Sequence, residues 1–453
     1  MVVILADSWR WDHFGFNGND WIRTPMLDEF SKECAIFDNL YVEGLPTLPQ
    51  RTAAFTGRYT FPFRGWGSLE PTDERLSHIL LANGVYPALI GDSLPLFMRG
   101  HGFTDSFAHV EFMSVDRLGR CPKGEEGTEF SRLYPPGRKI NSPHLRPYLR
   151  LVASWKSEED YMMAQTAKAA MRWLDGYDRK RPFMLWVDMF DPHEPWLPPE
   201  KYWRRYYPDY EGQLLPAAPD LRMEGFYLSE EEVRCTRALY AGTCTLVDKW
   251  VGALIQHLRA IGLMDETMVV FTSDHGEPLG DGKWGHGLWR KFRPWPYEEL
   301  AHAPLLVRHP EGYGRGRRLD GFVQSCDMAP TVLDAFGLRP TEGMHGKSIL
   351  PMVTGEVKAI REFAVAAHHG GAHRGAGRES RSIRTKQWAY MYWPDWPQDA
   401  EPKDSLEKKA PELYRRDGDL TEQHDVLAEF PEVGRELELR LRRFEDELRA
   451  KGW

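Results

Sequence analysis

Met268-Val269-Val270-Phe271-Thr272-Ser273-Asp274-His275-Gly276-Glu277 is an apolar, β-branched run that stops on an adjacent Asp-His pair. A short run of this kind reads as a strand buried on both faces. A carboxylate and an imidazole side by side at a strand end offer a divalent metal one oxygen and one nitrogen. A turn with a capping aspartate is the plainer account of the same residues. Val2-Val3-Ile4-Leu5-Ala6 is a second apolar run, and it ends at Asp7. Residues 182–188 and 305–307 read as further strands. Between these runs, residues 73–81, 161–174 and 230–261 carry apolar side chains at helical spacing. The alternation predicts an α/β fold: a large, mostly parallel central sheet flanked by helices. Ligands of such sheets sit at the carboxyl ends of strands. Asp7, Asp188, Asp191 and Asp274 all fall at or just after such ends.

The remainder of the chain is less regular. Residues 112–155 are rich in Gly, Pro, Arg and Lys and read as an excursion from the core. Residues 366–380, with His368, His369 and His373, read as a solvated loop. A strand at 382–393 and a charged amphipathic helix at 432–448 predict a small C-terminal α+β subdomain. The expected division is a catalytic α/β domain over 1–355 and a smaller unit over 356–453.

The chain has 453 residues, 42% hydrophobic and 28% charged, enough for a sizeable core and unlike a disordered segment. Its formal net charge of −9 argues against a nucleic-acid partner, which needs a basic footprint. An anionic substrate must therefore be drawn by local positive charge. Five scattered cysteines give neither a disulfide framework nor a cysteine-rich zinc site. No apolar run approaches the roughly 20 residues that span a bilayer. No basic segment precedes Val2. The expectation is a cytoplasmic protein without a membrane partner; a homo-oligomer is compatible with the sequence.

Another stretch bears on chemistry. Leu45-Pro46-Thr47-Leu48-Pro49-Gln50-Arg51-Thr52 places a hydroxyl in a Pro-framed turn where a helix opens. A helix N-terminus favours anions. In isolation, Thr47 is best read as that helix's cap.

Six ordered motifs together resemble the sulfatase branch of the alkaline phosphatase superfamily. Asp7-Ser8-Trp9-Arg10-Trp11-Asp12 is similar to the family's D-x-x-R-x-D, and Thr24-Pro25-Met26-Leu27-Asp28 to T-P-N-L-D. Thr47-Leu48-Pro49-Gln50-Arg51 followed by Thr56-Gly57-Arg58 resembles C-x-P-x-R and T-G-R. Asp191-Pro192-His193-Glu194-Pro195-Trp196 resembles D-P-H-x-P-F, and Cys326-Asp327-Met328-Ala329-Pro330-Thr331 resembles V-D-x-x-P-T. Ser382-Ile383-Arg384-Thr385 and Glu412-Leu413-Tyr414 resemble the closing subdomain. The Trp-bearing opening and Pro87-Ala88-Leu89-Ile90-Gly91 look closest to phosphonate monoester hydrolases and phosphodiesterases.

The resemblance implies an alkaline-phosphatase-like fold and one divalent metal held by Asp7, Asp274 and His275, with Thr47 as nucleophile and further ligand. Arg51 would steady the nucleophile. His193 and Lys291 would bind the anion or assist the leaving group, and His286 is a second candidate for that role. The plainer accounts are a satisfied core histidine for His193 and a solvated surface charge for Lys291.

The chain also departs from the family pattern. The usual nucleophile is a cysteine converted to formylglycine, and here it is Thr47. Ser8 replaces a second carboxylate, and Gly91-Asp92-Ser93-Leu94 stands where sulfatases carry G-K-x-H, so Asp92 adds negative charge. Hydrated formylglycine expels sulfate by collapsing to an aldehyde; threonine has no second hydroxyl with which to do so. A phosphothreonine can be resolved by water in line at phosphorus. Two carboxylates, an imidazole and an alkoxide suit Mn²⁺ or Zn²⁺ better than Ca²⁺. His309 and His345 are available for a second zinc, but their spacing does not argue for one.

Three functions follow as alternatives. The first is a metal-dependent hydrolase of phosphodiesters, phosphate monoesters or phosphonates, acting through Thr47 on a small anionic ester. The second is a sulfate-ester hydrolase working without formylglycine. The third is a non-catalytic relative that binds an anion. Arg64, Arg99, Trp66, Phe97 and Trp196 are pocket-wall candidates for which ordinary loop packing is the better account.

Overall fold

Val2–Ala6 (β1) is buried at every position, which explains its unbroken apolar run. It lies between two parallel neighbours, β6 (Phe183–Met189) and β7 (Val269–Ser273). Beyond β6 the parallel set continues through β4 (Tyr86–Gly91) to β5 (His109–Phe112). Beyond β7 runs the antiparallel β8 (His302–Arg308), then β2 (Ala35–Tyr41), which pairs with β9 (Arg318–Leu319) and β10 (Val323–Gln324). The nine strands form one mostly parallel sheet. This computed structural model describes residues 1–113, 152, 154–215, 228–280, 286–289, 291, 295–368, 379–394 and 410–453. Nearly all of the expected excursion at 112–155, together with His369 and His373, lies outside them.

Helices cover the sheet. The longest described, Glu230–Ala260, opens with a capping box in which Ser229 and Glu232 satisfy each other's backbone N–H groups. Its inward face brings Tyr240 to the loop after β1, where the phenol accepts from Arg10 N–H (3.0 Å) and donates to the Ser8 carbonyl (2.8 Å). None of the described helices is long and apolar enough to cross a membrane. Cys34, Cys235, Cys244 and Cys326 are free and buried.

The stretch expected as one strand at 382–393 is two. β12 (Ser380–Arg384) and β13 (Trp388–Tyr392) form a hairpin. Thr385 closes its turn: its N–H donates to the Trp388 carbonyl (2.8 Å) and its Oγ1 accepts from Trp388 N–H (3.1 Å). Without Gly or Pro, that turn leaves no strong sequence signal. These strands, with β11 (Ala364–His368) and β14 (Glu412–Arg415), make a second sheet covered by helix Pro431–Lys451. Its fifth strand is β3 (Gly44–Leu45), parallel to β11, and Thr47 follows two residues later. The second sheet therefore buttresses the turn that carries Thr47.

Glu43, just before β3, is fully buried and accepts from the Thr60 N–H (3.2 Å) and hydroxyl (3.3 Å). Burial pushes its carboxyl up from 4.5 to about 8. Between those values the folded chain keeps a proton that the unfolded chain has released, so stability falls as pH rises through the window. Glu43→Gln is expected to flatten this slope. Thermal melts from pH 5 to 8 check it, and wild-type and variant curves that stay parallel would refute the assignment.

Candidate active site

The register places the site. Ala6 pairs with Ser273, so the next residues, Asp7 and Asp274, leave adjacent strands side by side. Ser8 turns the chain at once, with a left-handed φ of 65° that is costly for a residue with a Cβ. Its N–H donates to Asp274 Oδ1 (2.9 Å) and its hydroxyl to Asp7 Oδ1 (2.7 Å). Gly276 is required where it stands, since a Cβ there would lie 2.1 Å from the Glu299 carbonyl oxygen.

Thr47 precedes the wholly buried helix Leu48–Thr56. Its φ of 30° is strained for a β-branched residue. The hydroxyl makes no capping bond, contrary to the simplest reading of the sequence. It faces His275 Nε2 at 3.3 Å instead. His275 Nδ1 lies 2.7 Å from the Gly276 carbonyl and donates to it, which leaves the lone pair on Nε2. Burial, and then the charge of Lys291, lowers His275 to about 3, so the ring is neutral. Asp7, Asp274 and His275 each present one ligand atom within 4.8 Å of the others, and all three are buried.

Arg51, one helical turn beyond Thr47, is fully buried among three carboxylates: Asp7 (3.1 Å), Asp188 (2.8 Å) and Asp274 (2.5 Å). Burial opposes its charge, and those neighbours, Asp188 first, hold its pKa well above the ordinary guanidinium value. Lys291 is not a surface charge. It is buried with its ammonium 3.0 Å from Ser8 Oγ, 3.3 Å from Glu194 and 3.4 Å from Glu277. His193 adjoins the same Glu194 (3.3 Å) and stacks on Phe190 (4.0 Å between ring centres). Burial lowers His193 to about 4, with Glu194 opposing and Lys291 reinforcing that shift, so it is neutral at pH 7.

His286 is engaged elsewhere. Its Nδ1 meets Glu299 (3.1 Å), its Nε2 the Glu422 carbonyl (2.6 Å), and its ring lies flat on Tyr297. With both nitrogens bound, the ring ties the helix before β8 to the loop after β14 and has no atom left for a leaving group. His368 is not in a solvated loop; it ends β11, is buried, and contacts the Lys291 carbonyl at 2.6 Å. Asp92 does not stand as a free negative charge. It is buried beside Asp191 and Asp188, and burial with that repulsion pushes its carboxyl well above the usual range. Trp196 is fully buried, Phe97 stacks on Phe112, and Arg64 pairs with Asp73 under Trp453, all ordinary packing. His345 and His309 each accept a nearby backbone N–H (3.2 Å).

Charge decides what the site can hold. Among the described residues, five carboxylates (Asp7, Asp188, Asp274, Glu194 and Glu277) adjoin two cations, Arg51 and Lys291. Both cations are already neutralised, so neither they nor neutral His193 supply the surplus positive charge that the sequence suggested. A dication on the Asp7, Asp274 and His275 ligand atoms corrects the imbalance, and the oxygen-and-nitrogen donor set fits a divalent metal. Asp188 is marked in the sequence by its place at a strand end but not by a role, and Glu194 and Glu277 were not legible as site residues. The signal for Asp188 was its charge inside an otherwise apolar strand.

The fold is that of a sulfatase-family hydrolase. The chain matches the Sulfatase family over residues 1–338 and belongs to it. Residues 285–445 match the C-terminal region of N-sulphoglucosamine sulphohydrolase. It is similar to the multifunctional alkaline phosphatase superfamily protein PehA of Trinickia caryophylli, 27% identical over 78% of this chain and 76% of that protein. Arylsulfatase K of Bos taurus is 23% identical over 98% of this chain and 81% of its own length. Among solved structures, the phosphonate monoester hydrolase of Agrobacterium radiobacter superposes with a TM-score of 0.73, at 22% identity, over 99% of this chain and 95% of that one.

Proposed function

We propose that the protein hydrolyses small phosphate or phosphonate esters, phosphodiesters included, with Thr47 Oγ1 as nucleophile. The observation that carries this reading is the Thr47 hydroxyl: strained, free of any capping role, and 3.3 Å from His275 beside Asp7 and Asp274. Asp7, Asp274 and His275 would hold a divalent ion, which would supply a lowered hydroxyl pKa and positive charge for the substrate's oxygens. The Thr47 oxygen gives up its proton to solvent and attacks phosphorus as the P–O bond to the ester oxygen breaks, and that oxygen takes up a proton as it departs. Water then attacks phosphothreonine in line and restores the hydroxyl. Arg51 holds the Asp7 and Asp274 carboxylates in place. Lys291, held by Glu194 and Glu277, and neutral His193 stand where a leaving group or non-bridging oxygen is met. The donor set favours Mn²⁺ or Zn²⁺ over Ca²⁺.

Sulfate-ester hydrolysis is the second reading, favoured by the relatives named arylsulfatase. A panel of nitrophenyl phosphate, phosphodiester, phosphonate and sulfate esters, with Mn²⁺ or Zn²⁺ saturating, separates the two. The expected result is turnover of at least one phosphorus ester at about 100-fold or more the kcat/KM of the sulfate, a difference of roughly 2.7 kcal/mol in transition-state stabilisation. Preferential sulfate release would establish the second reading. No turnover of any ester would point to an anion-binding relative.

A further inference from the structure

Asp188 has no role in the scheme above beyond its charge, yet it makes the most directed contact in the site. It is fully buried and is the only charged residue of β6. Its Oδ1 accepts from Arg51 Nη2 (2.8 Å) and its Oδ2 from Arg51 Nε (3.2 Å), a two-bond fork that fixes the plane of the guanidinium. The Trp186 indole N–H donates to the same Oδ2 (3.2 Å). On the other side β4 presses close. Gly91 pairs with Asp188, and a Cβ at Gly91 would lie 2.5 Å from the Asp188 carbonyl oxygen. The carboxylate is thus held by Arg51 and Trp186, and the backbone behind it by β4.

What remains of the guanidinium gives one bond to each ligand carboxylate: Nη1 to Asp274 Oδ2 and Nη2 to Asp7 Oδ2. The opposite oxygens are oriented by the Ser8 hydroxyl on Asp7 and by the Ser8 and His275 N–H groups on Asp274. An arginine without a fork partner closes bidentately on the nearest carboxylate. Here the nearest alternatives are Asp7 and Asp274, the carboxylates on which the ion depends.

We infer that Asp188 is a positioning residue for the metal site: by taking the fork of Arg51, it limits that arginine to single bonds on Asp7 and Asp274 and keeps both carboxylates turned toward the ion. This rests on the reading that Asp7, Asp274 and His275 hold a divalent ion.

The test is Mn²⁺ affinity, measured by equilibrium dialysis on the full chain, with near-UV circular dichroism as the check on folding. Asp188→Asn is expected to bind Mn²⁺ at least tenfold more weakly than wild type. Arg51→Lys keeps the charge but loses the fork, and is expected to weaken binding to a similar degree. The double variant should be little worse than either single one, because both remove one interaction. Wild-type affinity in folded Asp188→Asn, or fully additive losses, would overturn the inference. If Asp188→Asn does not fold, Trp186→Phe, which removes only the indole donor to Asp188, is expected to weaken Mn²⁺ binding severalfold; unchanged affinity there overturns it equally. Tight binding by wild type and Asp188→Asn alike defeats this inference alone. Absence of Mn²⁺ and Zn²⁺ binding by wild type defeats the metal-dependent reading, and this inference with it.

Discussion

Thr47→Ala is expected to lower kcat on the best ester by about 10⁴-fold or more while leaving the fold intact and the ion still bound by Asp7, Asp274 and His275. The reasons are structural. The hydroxyl makes no cap for helix Leu48–Thr56, so its loss breaks no helix-terminal bond. Its nearest polar partner is His275 Nε2, a lone pair that a bound ion takes instead. Alanine also relieves β-branching at a residue with φ of 30°, so the melting temperature should hold or rise slightly. Thr47→Ser keeps the oxygen and is expected to retain turnover within about tenfold. Brief incubation of wild type with a phosphorus ester, followed by intact-mass measurement, should find a phosphoryl adduct on Thr47 that the alanine variant lacks. An alanine variant that turns over at the wild-type rate would remove Thr47 from the chemistry.

The parts of this site that were legible in the sequence are those that sit at strand ends. Asp7 and Asp274 each follow a short apolar run that had to be a buried strand, and parallel pairing of those strands brings them together. The role of Asp188 was not legible, because one carboxylate inside an apolar strand shows no partner until the helix carrying Arg51 packs over it. Lys291 follows from the resemblance, but its burial was not legible, because its two glutamates, Glu194 and Glu277, are distant in sequence and the fold delivers them. His286 carried the opposite error. Its neighbourhood matched a functional segment, but its ring nitrogens are engaged by Glu299 and by the carbonyl of Glu422, the latter from the loop after β14. At the level of fold, the parallel core followed from periodicity. The hairpin of β12 and β13 did not, since its turn rests on a threonine side chain and not on Gly or Pro. Nor did β3, whose two residues carry no pattern of their own and become a strand only by pairing with β11.

Removing the divalent ion is expected to abolish turnover and to destabilise the fold together, because both depend on the same charge imbalance. Stripped of a dication, the pocket keeps Asp7, Asp188 and Asp274 around Arg51, and Glu194 and Glu277 around Lys291. An anionic ester approaching that set meets carboxylates whose cationic partners among the described residues, Arg51 and Lys291, are already paired, so binding as well as chemistry should fail. Chelator-treated protein is therefore expected to show no measurable turnover, and activity should return on adding Mn²⁺ or Zn²⁺ more readily than on adding Ca²⁺. An ion that binds only the folded chain adds about 2.7 kcal/mol of stability at a hundredfold excess over its Kd and about 4 kcal/mol at a thousandfold. The melting temperature should accordingly climb with metal concentration. Asp274→Asn should lose both the climb and the turnover, since it removes one ligand charge while the isosteric amide preserves packing. Thr47→Ala should keep the climb and lose only the turnover, because the remaining three ligands, Asp7, Asp274 and His275, are intact. A melting temperature indifferent to metal in the wild type, with activity surviving chelation, would mean that the acidic cluster is balanced some other way and that Thr47 is not activated by an ion.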